Sequence, residues 1–155
     1  MEMISNEEKI TQAVLVSVDT GDYDAEASLA ELKELVKSAG AEPVFTVTQN
    51  LKRPETGTYV GTGKLQEIAD ICKQQEIDLL VFDCELSPTQ IRNIEAETDT
   101  RTIDRTMLIL DIFALRARSK EGKLQVELAQ LKYLMPRLTG KGVAMSRLGG
   151  GIGTR

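Results

Sequence analysis

Apolar and polar positions along this chain alternate between a strand-like and a helix-like period. Ala13-Val14-Leu15-Val16-Ser17-Val18 is rich in β-branched residues and almost continuously apolar, the pattern of a strand covered on both faces. Gly21 and Asp22 break it, and from Ala25 to Ala39 the residues Leu29, Leu32, Leu35 and Val36 recur at helical spacing before Gly40, a natural helix stop. Val44 to Thr48 reads as a second strand. Leu79 to Asp83 reads as a third, reached through a helix around Leu65 to Gln75. Ser87 and Pro88 supply an N-cap and a first-turn proline for the next helix. Thr102-Ile103 marks a short fourth strand, and Met107 to Ala117 is apolar on nearly every side, which predicts a helix buried or covered by another element. Four strand–helix repeats predict an α/β fold, a small parallel four-stranded sheet flanked by helices and joined by right-handed crossovers. Ligand sites in such folds lie beyond the carboxyl ends of the strands, an edge that here carries Asp19, Asp83, Glu85, Asp104 and Arg105.

After Gly122 the period changes. Leu124, Leu128, Leu131, Met135 and Leu138 are spaced four, three, four and three apart, the seam of a long helix that packs lengthwise on another helix. Two arrangements fit: a helix docked on the sheet domain, or the first helix of a hairpin arm. The Gly-rich run Gly149-Gly150-Gly151-Ile152-Gly153-Thr154-Arg155 favours the arm and an expectation that the chain is truncated within it. The expected organisation is a flexible tail over 1–12, an α/β domain over 13–118, and a basic helical arm with its Gly-rich segment over 119–155. An uncovered seam would seek a partner, so a dimer through Leu124, Leu128, Leu131, Met135 and Leu138 is a further expectation.

Charge sharpens this division. From Met1 to Thr100 there are 8 Lys+Arg against 20 Asp+Glu, a balance of -12; from Arg101 to Arg155 there are 11 against 4, a balance of +7. Such asymmetry points to a polyanionic partner for the basic end, or to two halves that neutralise each other across an interface. The cations concerned are Arg116, Arg118, Lys120, Lys123, Lys132, Arg137, Lys141, Arg147 and Arg155, opposed only by Glu121 and Glu127. With glycines nearby they suit docking to RNA phosphate, although a solvated surface explains them as well. No aromatic RNA-reading motif accompanies them, so base-specific reading has no support.

Other chemistry is narrowed by what the chain contains. The chain has no histidine. Imidazole acid–base catalysis, Ser–His and Cys–His nucleophiles and imidazole metal sites are thereby excluded. Cys72 and Cys84 have neither metal-ligand nor disulfide-framework spacing, which makes a reducing cytoplasm the expected compartment. No apolar run reaches the ~20 residues that span a bilayer, and Met1 to Thr11 lacks a secretory pattern. The segment Gly57 to Leu65 imitates a phosphate loop, but the position that must be glycine is Thr58, and Lys64 precedes Leu65 instead of a magnesium-binding hydroxyl. It is not a P-loop. Gly61, Gly63, Lys64 and Arg105 remain as candidates for a nucleotide or phosphate contact at the strand-end edge, against a structurally neutral loop. Asp83, Glu85, Asp104 and Asp111 read as strand-end and cap charges instead of catalytic acids, with Asp104 placed to cap the helix that starts near Thr106. No catalytic residue and no metal ligand is assigned.

The run Ile103-Asp104-Arg105-Thr106, followed by Leu108 to Ala114, Arg116-Ala117-Arg118 and Glu121 to Leu131, resembles the HflX family of ribosome-associated GTPases. Arg137-Leu138, Gly149 to Arg155, Tyr59 to Lys64 and Asp83 to Gln90 resemble it too. The resemblance implies an N-terminal α/β domain and a two-helix arm that dock on the large ribosomal subunit and its rRNA, linked to the splitting of stalled ribosomes. It implies that GTP and magnesium belong to a GTPase domain absent from this chain, which by itself should need no cofactor and hydrolyse no GTP. The alternative it allows is ATP binding or hydrolysis by the α/β domain through the strand-end edge and the Gly-Lys loop.

Overall fold

A computed structural model of the chain describes residues 9–138. Strands β1 (Thr11–Asp19), β2 (Ala41–Asn50), β3 (Leu79–Phe82) and β4 (Arg101–Asp104) form one sheet in the order β2-β1-β3-β4. Every pairing is parallel. Helices α1 (Ala25–Ser38), α2 (Thr62–Gln74), α3 (Pro88–Thr98) and α4 (Arg105–Arg116) connect and follow the strands, and α5 (Lys120–Leu134) lies alongside α4. The α/β class and the four-stranded parallel sheet expected from the sequence are present.

The apolar run of β1 divides by parity. Val14, Val16 and Val18 join Leu80 and Phe82 beneath Leu65, Ile68, Ile91 and Ile94 of α2 and α3. Ala13 and Leu15 join Leu79, Val81 and Ile103 beneath Leu32, Val36, Leu108 and Ile112 of α1 and α4. Consecutive side chains of a strand point to opposite faces, so a strand with helices on both sides must be apolar throughout. The long edge strand β2 follows β1 along its whole length, with a bulge that pairs Ala13 with Pro43 and Val14 with Phe45. An edge position tolerates Pro43, which has no N–H to donate.

Local chemistry sets the helix starts. Asp24 accepts from the Ala27 amide at 3.0 Å, and Ser87 and Gln90 close a reciprocal capping box at the start of α3. Ser119 accepts from the Gly122 amide at 2.9 Å.

Helix α4, expected to be buried or covered by another element, lays Leu108 and Ile112 on the sheet and has α5 alongside, while Phe113 is 55% and Leu115 48% exposed. Two expectations about the apolar seam are corrected. The seam does not run through one helix to Leu138, because α5 ends at Leu134 and a single 3₁₀ turn, Met135–Arg137, follows. Pro136 lacks the amide that a further helical turn requires. Nor does the seam dock on the sheet domain, since Leu124, Leu128, Leu131 and Met135 are all more than half exposed.

A fully buried carboxylate joins body and arm. Asp104 caps α4 through the Met107 amide at 2.9 Å and accepts from the Leu86 amide at 2.9 Å. It also accepts from the Tyr133 hydroxyl of α5 at 2.6 Å. Arg137 lies over the Tyr133 ring at 3.8 Å, and its Nε donates to the Leu86 carbonyl at 3.0 Å. Asp104→Ala would strip an acceptor from three donors, each costing about 1–3 kcal/mol when left unmet in a buried setting. We predict a stability loss of about 3 kcal/mol or more in urea titration; a loss below about 1 kcal/mol would mean that water replaces the carboxylate.

Candidate functional site

Order β2-β1-β3-β4 places the reversal of strand order between β1 and β3, where parallel sheets open a crevice at their carboxyl ends. Here an ion-pair network fills it. Asp83 follows β3, donates its amide to the Val16 carbonyl at 2.9 Å and is buried. The Arg105 guanidinium meets Asp83 Oδ1 at 2.6 Å, reaches Ser28 Oγ at 3.4 Å and pairs with Glu31 of α1. Burial alone would lower the pKa of this guanidinium, but the Asp83 and Glu31 contacts outweigh it and raise the pKa. Asp83 Oδ2 and the Ser17 hydroxyl, both buried, have no partner among the described residues. Arg105 is therefore engaged with two carboxylates of its own chain.

The Gly-Lys segment is held from several sides. Gly61 caps α2 without a side-chain bond, and its amide donates to Gln49 Oε1 of β2 at 2.9 Å. A side chain at Gly61 would press on Gln49, whose Nε2 stands 3.3 Å from the position a Cβ would take. Gly63 has open space around it, and Lys64 pairs with Glu67 at 3.3 Å on the surface of α2. The preceding loop is pinned to α3 by Gln90 Nε2 donating to the Glu55 carbonyl at 3.1 Å and Asn93 Nδ2 to the Gly57 carbonyl at 2.9 Å. Tyr59, at a positive φ of 67°, sets its ring edge-on to Phe82 and its hydroxyl beside Cys84. These residues do not fit a magnesium–triphosphate group: the loop lacks the phosphate-loop spacing, and its lysine faces a carboxylate. Among the described residues no cluster of His, Cys, Asp or Glu could hold a metal ion. A shallow recess of about 380 Å3 opens instead between the ends of β1 and β2, lined by Asp19, Thr20, Gly21, Asn50, Leu51 and Lys52.

The arm presents its cations unevenly. Arg116, Arg118 and Lys123 line a recess of about 750 Å3 where α4 meets α5, and Lys120 is exposed in the first turn of α5. Lys132 is exposed near the end of α5, whereas Arg137 is half-buried against Tyr133 and Leu86. Lys141, Arg147, Arg155 and the glycine run lie outside the described residues. The sequence reading missed Tyr133. Its signal was an aromatic one helical turn before Arg137, in a chain with only three tyrosines and three phenylalanines.

Burial raises the pKa of the Tyr59 hydroxyl, with Cys84 adding to the effect, and burial likewise pushes the Cys84 and Cys72 thiols upward. Below about pH 8 both native and unfolded chains keep these protons, so stability does not depend on them. At higher pH the unfolded chain releases protons that the native chain retains, and stability falls. We predict a declining urea midpoint between about pH 8.5 and 10.5, with a shallower decline in Tyr59→Phe/Cys84→Ala; equal slopes would discount the pair. Arg105→Met leaves a buried carboxylate unpaired and should destabilise the fold by about 3 kcal/mol, read by the same titration.

Comparison with known proteins places this geometry. A family model described as GTP-binding GTPase N-terminal matches residues 26–114, and one described as GTP-binding GTPase Middle Region matches residues 116–155. The GTPase HflX of Alkalihalophilus pseudofirmus is 54% identical over 148 residues, covering 94% of this chain and 35% of that protein. The GTPase HflX of Escherichia coli is 50% identical over 145 residues, covering 93% of this chain and 34% of that protein. This chain thus spans about a third of the length of these curated relatives. A GTP-binding protein from Sulfolobus solfataricus, solved with GDP, superposes with a TM-score of 0.56 at 31% identity, over 90% of this chain and 41% of its own.

Proposed function

Because this chain belongs to the HflX family of GTPases, of which it carries N-terminal and middle-region sequence, we propose that it is a ribosome-docking region and not itself a GTPase. It would engage the large ribosomal subunit and its rRNA in the cytoplasm, in the service of ribosome splitting and rescue. The observation that carries this reading is the placement of charge. An acidic α/β body holds out a basic segment whose Arg116, Arg118, Lys120, Lys123 and Lys132 are exposed. None of the five has a salt-bridge partner among the described residues. Exposed cations without an ion-pair partner among the described residues suit phosphate, whose counterions they displace. GTP and magnesium would act elsewhere in proteins of this family, as the misfit of the Gly57 to Leu65 segment supports. No helix among the described residues is long and apolar enough to cross a membrane.

Co-sedimentation with purified large subunits tests the reading. Binding should be clear at low salt and weaken steeply as salt rises; salt-insensitive binding or none at all would overturn it. In the same preparation, magnesium–GTP should yield no phosphate above background. The second reading, ATP at the strand-end edge, draws on the recess between β1 and β2 with Lys52 on its wall. Calorimetric ATP binding that disappears in Lys52→Ala would favour that recess, and binding that disappears in Lys64→Ala would favour the Gly-Lys loop at the same edge. The exposed row Leu124, Leu128, Leu131 and Met135 should also draw two copies together at high concentration. Light scattering should show mass rising with concentration, an effect that Leu128→Glu suppresses, whereas a constant monomer mass would end the dimer proposal.

A further inference from the structure

Leu86 is held at both ends of its backbone by the joint between body and arm. Its amide donates to the buried Asp104 carboxylate, and its carbonyl accepts from Arg137 Nε. Its neighbours are tied in the same way. The Arg105 amide donates to the Cys84 carbonyl at 3.0 Å, and the Thr106 hydroxyl to Glu85 at 3.1 Å. The turn from β3 to α3, Asp83 to Ser87, is therefore anchored by the start of α4 and by the far end of the arm. Asp83 at its first position pairs with Arg105, and Ser87 at its last caps α3.

Helix α5 reaches this turn with little apolar help. Its half-buried positions, Gly122, Val126, Gln130, Tyr133 and Leu134, recur at helical spacing and mark the inward face. Only two of them are aliphatic, whereas Leu124, Leu128, Leu131 and Met135 point to solvent. Lifting α5 off the body exposes little further apolar surface, so the hydrophobic effect opposes it weakly. What must break is polar: the Tyr133 hydroxyl leaves Asp104, and Arg137 leaves the Leu86 carbonyl. Asp104 then keeps the Leu86 and Met107 amides, so the buried carboxylate is still paired and the body stays folded. A helix of 15 residues is marginal alone in water, so α5 frays once detached. We infer that Tyr133 and Arg137 form a latch that opens without unfolding the body and couples the arm to the β3–α3 turn. When the end of α5 lifts, Leu86 loses its carbonyl partner, Asp104 loses one of three donors, and the turn loosens. The coupling is reciprocal: whatever displaces the turn also favours release of the arm. This device is independent of what the arm binds.

The test is amide hydrogen exchange of the whole chain, resolved by residue with NMR at a concentration low enough that copies do not pair. Amides of α5 should exchange together and well ahead of those in β1 and β3, the behaviour of a unit that opens by itself. Tyr133→Phe keeps the ring beneath Arg137 and removes one hydrogen bond to a carboxylate. It should speed exchange about five- to tenfold in α5 and at the Leu86 and Gln90 amides, with β1 and α1 unchanged. Arg137→Gln should give the same pattern from the other half of the latch. Exchange of α5 as slow as that of β1 in the unaltered chain overturns the latch. Acceleration confined to α5 in both variants overturns the coupling to the turn. Equal acceleration in every element would show a general loss of stability and overturn both.

Discussion

The carboxylate of Asp104 sits where four elements meet, and the relation of arm to body depends on it. It ends β4, caps α4, fixes the turn after β3 through the Leu86 amide and receives the Tyr133 hydroxyl from α5. A carboxylate with no solvent exposure is tolerable only when donors surround it, and here three hydrogen bonds from three segments do so. The same contact raises the pKa of the Tyr133 hydroxyl, after burial, and so keeps the tyrosine a donor. Body and arm are thus joined through a polar contact of defined geometry. Apolar packing plays a smaller part, since no residue of α5 is buried.

A second polar device works beside it. Arg105 opens α4, and it spans from Asp83 at the end of β3 to Glu31 on α1. It closes the crevice in which parallel sheets commonly seat ligands. In this chain that position joins helices to the sheet, while recesses among the described residues open between β1 and β2, where α4 meets α5, and beside Lys9 and Gln75.

Much of the fold was legible because it is written locally. The continuous apolar runs of β1 and β3, the helical spacing of Leu29 to Val36 and the Ser87-Pro88 start each lie within a few residues. Asp104 as a helix cap was equally plain. The full extent of β2 was not, since Glu42 and Pro43 before Val44, and Gln49 and Asn50 after Thr48, resemble loop residues on an edge strand. The candidate residues were harder, because their partners are remote in sequence. Glu31 is 74 residues from Arg105, and Tyr133 is 29 from Asp104. Charge counting identified the basic segment but could not separate Arg137, stacked on an aromatic ring, from Arg116, which is exposed.

Pro136 carries a consequence beyond ending a helix. Leu124 to Met135 covers eleven steps of about 1.5 Å, so the apolar stripe is roughly 16 Å long, about three turns. Paired helices that short are marginal by themselves in water. Any rod laid against the stripe therefore borrows its rigidity from the two ends, the cationic corner and the tyrosine clasp, so its grip depends on whatever those ends are holding.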